Sequence, residues 1–209
     1  DVHRKVLEGN SKEITTDNVK LWVEQNYFEL SRHEGLYLRE STRENIAEHV
    51  LHYVDYAKQD WNRIKEAEVP VTLQKETYIL EGTIDLIQGK GNTVEILDFK
   101  SGEKPDVNTT DKDEKAMLER YKRQLEIYSH IVEKRYGKKV SRMHLFYTAE
   151  ESGSPFISYE YDSSSIEKTI NRVTDVVTEI ENKNFVRKEK RHSKQCTECD
   201  MRHFCDRNC

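Results

Sequence analysis

The chain has 209 residues, 35% hydrophobic and 35% charged, and 39 acidic against 34 basic side chains give a net charge of −5. No apolar run approaches the roughly 18–20 residues of a membrane span, no signal-peptide pattern marks the chain for export, and 3 Pro with 8 Gly exclude a collagen-like or low-complexity chain. A net-negative chain is no sequence-independent coat for DNA, so any nucleic-acid contact must come from local basic patches.

The chain enters at Asp1 directly into a helix-like pattern, DVHRKVLEGN, and reads as an intracellular fragment of a longer protein. Residues 17–31 carry Val19, Leu21, Trp22, Val23, Tyr27 and Phe28, an imperfect helical stripe with Asp17 suited to its N-cap. Residues 40–66 predict one long amphipathic helix, with Ile46, Val50, Leu51, Val54 and Trp61 near one face and Pro70 stopping the pattern. The period then changes from 3.6 to 2. Segments 69–80 and 81–88, the turn Gly89-Lys90-Gly91-Asn92 and segment 93–101 predict an antiparallel meander. Residues 103–111 are polar and loop-like. A helix follows from about 113 to 136, closed by Gly137. Segments 141–150 and 155–162 read as two more strands, and 163–183 as a last helix. The order predicts a mixed α/β domain with a central sheet.

All four cysteines lie in the last fourteen residues: Cys196, Cys199, Cys205 and Cys209, spaced C-x2-C-x5-C-x3-C. Disulfides scattered through a secreted fold would not crowd this way. Four thiolates can hold zinc tetrahedrally or a [4Fe-4S] cluster, and spacing does not choose between them. Ahead of them runs a basic stretch with Lys183, Arg187, Lys188, Lys190, Arg191 and Lys194, and the 113–136 helix carries Arg120, Lys122 and Arg123. Either patch could touch phosphate, although a basic run is usually a solvated face.

The meander carries the chemistry. Gly82-x-x-Asp85 lies on one predicted strand and Asp98-Phe99-Lys100 on its neighbour. Asp98 and Lys100 are two residues apart, so they share a face, and a hairpin can bring Asp85 beside them. Two carboxylates suit a hard cation such as Mg²⁺ or Mn²⁺, which activates water and offsets charge on a phosphate. On its own, Asp-x-Lys is as often a solvated strand face.

EGTIDLI followed by VEILDFKSG resembles the core of the PD-(D/E)xK nucleases, and more narrowly their RecB-like and Cas4-like branch. Three further pieces fit: Gln124-x-x-x-Tyr128 on a helix, His3 in VHRKVLE, and Cys196, Cys199 and Cys205 at the end. The resemblance implies a restriction-endonuclease-like core, a central mixed sheet flanked by helices. It implies a nuclease domain over 1–183, with a basic tail and cysteine cluster over 184–209. His3, Asp85, Asp98 and the backbone carbonyl of Phe99 would bind the metal. Lys100 would act on the water or phosphate. Gln124 and Tyr128 would contact the DNA backbone or support Lys100. Glu68 would answer to an acidic residue that some members place near the metal. Iron–sulfur members carry their first cysteine well upstream, where this chain has none, so the resemblance leaves two fourth ligands open: a cysteine in a missing N-terminal part, or Cys209, which lies only four residues past Cys205 and is the favoured choice. The implied function is a Mg²⁺- or Mn²⁺-dependent deoxyribonuclease, an exonuclease on single-stranded ends within a larger helicase-type protein of DNA repair. The competing readings are a catalytically silent DNA-binding module and a zinc-ribbon interaction domain.

Overall fold

The computed structural model describes residues 1–35 and 37–184. The cysteines and nearly all of the basic tail lie outside the described residues. Helix α1 (Val2–Leu7) is followed by α2 (Thr16–Glu34) and α3 (Glu40–Ala57). Strands β1 (Ile64–Gln74), β2 (Ile79–Lys90) and β3 (Thr93–Lys100) come next, then α4 (Lys112–Tyr136), β4 (Lys139–Tyr147), β5 (Phe156–Glu160) and α5 (Ser163–Glu181). Asp1–Ile170 form one compact unit, and the chain from Asn171 belongs to a second.

Helix ends follow local chemistry. The Thr15 hydroxyl accepts from the Asn18 amide, so Thr15 rather than Asp17 caps α2. Asp111 accepts from the Asp113 and Glu114 amides at the start of α4. Gly137 closes α4 in the left-handed conformation, at φ 62°.

The sheet runs β1-β2-β3-β4-β5. Its pairs are antiparallel except β3 with β4, which are parallel and joined by α4 as crossover. The predicted helix over 40–66 ends instead at Ala57. A short 3-10 turn, Trp61–Arg63, leads into β1, which pairs with β2 from Ile64 onwards. Ladder hydrogen bonds and burial of Ile64 outweigh the helical period there. Pro70 lies inside β1, opposite Thr83; β1 is an edge strand, where a residue without an N–H is tolerated.

Each face of the sheet has its own core. Helix α4 lays Leu125, Ile131 and Val132 on Ile84, Ile96 and Met143. Helices α1, α2 and α3 lay Val2, Val19, Tyr53 and Val54 on Leu86, Leu97 and Phe146. The central strand β3 is therefore covered on both sides, which explains its near-continuous apolar run.

Candidate active site

The site begins where two strands part. β2 and β3 pair from Lys90 and Thr93 as far as Leu86 and Leu97. Beyond that point β2 continues only with β1, down to Ile79, and β3 only with β4, up to Lys100. A crevice opens between them, with Asp85 on one lip and Asp98-Phe99-Lys100 on the other. Side-chain alternation in β2 slips at this place: Ile84 packs toward α4, Leu86 toward α1–α3, and Ile87 toward α4 again.

The Phe99 amide, which would have met a β2 carbonyl in an unbroken ladder, donates instead to Asp85 Oδ2 at 2.7 Å. Asp98 is buried at 4% exposure, and its Oδ2 has an ion pair with Lys100 Nζ at 2.5 Å but no well-directed hydrogen bond. Asp85 titrates above the usual carboxylate range. Burial is the main cause; the charges of Asp98 and Glu68 push the same way, against the Phe99 hydrogen bond and Lys100. Two acidic side chains held this close, one with a buried oxygen that lacks a directed donor, are a donor set suited to a hard divalent cation. Asp85, Asp98 and Lys100 are thus brought together, as the spacing predicts.

Phe99 turns its ring to the opposite face. There His3 stacks on it at 5.7 Å between centroids, with Tyr53 edge-on to both rings. His3 Nε2 and the Tyr53 hydroxyl are 2.8 Å apart. Burial lowers the His3 pKa to about 4, so the ring is neutral at physiological pH. His3 therefore lies on the α1 side of the strand whose other face carries Asp98. Among the described residues no three His, Cys, Asp or Glu side chains already converge on one point.

Glu68 lies across β1 from Asp85, between the register pairs Ala67–Leu86 and Val69–Ile84, with φ at 51°. A non-glycine residue in that region is strained, and such strain gathers at functional positions. Its side chain borders a groove of about 890 Å³ that runs between α1 and α2 past His3, Asn26, Leu30 and His33.

On α4 the structure places Gln124 against Tyr128, Nε2 to hydroxyl at 3.2 Å, and lays the Tyr128 ring over Gly82. The residue that meets Lys100 is Tyr121, with the ammonium 4.0 Å from its ring centroid. Tyr121 sits three residues before Gln124 and seven before Tyr128, on the same helical face. That i, i+3, i+7 row was the available sequence signal, and the Gln-x-x-x-Tyr spacing alone does not contain it. The helix's basic patch is partly paired: Lys122 meets the buried Glu126 at 3.6 Å, and Arg123 meets the exposed Glu119 at 3.5 Å on the helix surface.

A family model for the PD-(D/E)XK nuclease superfamily matches residues 3–206. Among solved structures, a "putative exonuclease" from Eubacterium rectale aligns with a TM-score of 0.51 at 12% identity, covering 94% of this chain and 84% of that one. The structure of SSO0001 aligns at 0.43 and 17% identity, over 100% of this chain and 95% of the other. No curated protein matches in sequence.

Proposed function

The chain belongs to the PD-(D/E)XK nuclease superfamily, and we propose that it is a Mg²⁺- or Mn²⁺-dependent deoxyribonuclease whose hydrolytic centre is the crevice between β2 and β3. The observation that carries this reading is the splayed ladder itself, in which Asp85 reaches across to the Phe99 amide beside the Asp98–Lys100 ion pair. In this reading Asp85, Asp98 and the Phe99 carbonyl would hold the ion, while His3, stacked on the Phe99 ring on the opposite face of β3, braces that residue. The ion's part is to lower the pKa of a bound water and to offset charge on the scissile phosphate.

The chain's own residues do the rest. Asp85 stays fixed through the Phe99 amide, so its second oxygen is presented without rotamer freedom. Lys100 keeps an ammonium beside Asp98, where it orients the attacking water or meets the phosphate oxygens. The water oxygen bonds to phosphorus as the P–O bond to the leaving strand breaks, and that oxygen leaves with a proton. Gln124 and Tyr128 line α4 beside Gly82, in reach of a backbone lying in the crevice.

Action on single-stranded ends, within a helicase-type protein, completes the reading. The structural neighbour described as an exonuclease is consistent with it. The four cysteines are assigned to a structural [4Fe-4S] cluster or Zn²⁺ site in the tail. Digestion of end-labelled single-stranded DNA with Mg²⁺ or Mn²⁺ tests the centre. Asp98→Ala and Lys100→Ala should each lose about 100-fold or more of the rate. Equal cleavage by wild type and both variants would overturn the assignment.

A further inference from the structure

The Lys100 ammonium meets two side chains, Asp98 and Tyr121, which would behave differently with a cation bound. Asp98 holds its ammonium at 2.5 Å, yet Asp98 is also a proposed metal ligand. A carboxylate whose electrons are drawn to a divalent cation holds an ammonium less well. A lysine on four rotatable bonds would then stray, because its flexible stem gains rotamer entropy when released. The face of Tyr121 lies 4.0 Å from Nζ. A neutral ring attracts an ammonium through its quadrupole and offers no lone pair to compete for the metal. The wall behind is neutral too: Tyr147, paired in register with Lys100, is 2% exposed, and burial lifts its phenol to about 12. Arg120 approaches the same ring less closely, at 5.6 Å.

Resting on the nuclease reading above, we infer that Tyr121 is a positioning residue whose ring face holds the Lys100 ammonium in place when Asp98 is committed to the metal. It touches neither substrate nor ion and acts through Lys100.

The test uses the full chain with Mg²⁺ and labelled single-stranded DNA, comparing Tyr121→Phe, Tyr121→Leu and Lys100→Ala. Tyr121→Phe keeps the ring and should stay within about twofold of wild type. Tyr121→Leu should lose about tenfold in kcat, equivalent to about 1.4 kcal/mol, with KM nearly unchanged. A second readout needs no catalysis. The ring current should shift the Lys100 ε-methylene protons upfield in wild type and Tyr121→Phe and leave them unshifted in Tyr121→Leu, whatever the leucine does to melting temperature. Unshifted protons in wild type, equal loss in both Tyr121 variants, or a fully active Tyr121→Leu beside an inactive Lys100→Ala would overturn the inference and leave the nuclease reading standing. A fully active Lys100→Ala would overturn the nuclease reading itself.

Discussion

Gly82 is required by what stands over it. A β-carbon there would lie 2.8 Å from Tyr128 Cε1, 3.2 Å from its hydroxyl and 3.4 Å from Cζ. Carbon atoms rest at about 3.5–4.0 Å, so the ring would have to retreat by roughly 0.7 Å or more. Tyr128 has little room for that: it is 9% exposed, packs in the α4 core and accepts a hydrogen bond from Gln124. Overpacking of this kind costs about 1–3 kcal/mol. Removing a strand glycine returns about 0.5–1 kcal/mol. Gly82→Ala should therefore lose about 1 kcal/mol net, a fall of about 0.5 M in the urea midpoint at a slope near 2 kcal/mol/M. The diagnostic measurement is the same substitution in a Tyr128→Ala background, where the obstacle is gone and the methyl should be neutral or stabilising. A coupling of about 1–2 kcal/mol between the two positions is expected. If Gly82→Ala is as stable as wild type, or costs the same with and without the tyrosine, the close approach of β2 and α4 is not what demands glycine.

Two further substitutions separate structure from chemistry. Asp85→Asn should be more stable than wild type at neutral pH without divalent metal, while cleavage is lost. Because the folded-state pKa of Asp85 lies above its unfolded value, its contribution is fully present below the unfolded pKa and is lost as pH rises through the folded one. The gap to Asp85→Asn, read from urea melts in EDTA, should open with rising pH across that window; a variant less stable than wild type at pH 7 would contradict the sign. Glu126→Ala removes a 2%-exposed carboxylate that accepts from Ser165 and Thr169 on α5. It should cost about 2–4 kcal/mol in a urea melt and leave the cleavage rate per folded molecule unchanged.

The strands were legible because β3 states its burial in its letters: Val94, Ile96 and Leu97 are apolar on both faces. The turn at Gly91 and the stop at Gly137 need left-handed backbone, which glycine supplies. The start of β1 was not legible. Ile64 continues the helical spacing of Leu51, Val54 and Trp61, and only pairing with β2 turns it into a strand. The site divided along the same line. Asp98 and Lys100 follow from a period of 2 on one strand. The place of Asp85 depends on where β2 and β3 stop pairing, and no local pattern encodes that. Tyr121 was hidden for a similar reason: its role depends on which turn of α4 crosses the end of β3. Neither the strain at Glu68 nor the stacking of His3 on Phe99 has a signature within a short window of sequence.

The parting of the strands explains why one carboxylate serves two purposes. A sheet that opens in its middle leaves a central strand with an unmet amide, which is costly when buried. Asp85 answers the Phe99 amide with one oxygen, and the slip in alternation at this residue aims its side chain into the gap rather than onto either face. A neutral acceptor such as asparagine would satisfy the amide equally well, so structural need does not account for the acid. Burial, Asp98 and Glu68 all disfavour its charge, and Glu68 holds a strained backbone to stand opposite it. A fold under selection for stability alone would shed these conflicts. In the proposed nuclease these conflicts have a use: a bound cation would relieve the repulsion among the carboxylates, and the Phe99 hydrogen bond holds the acid in place for it.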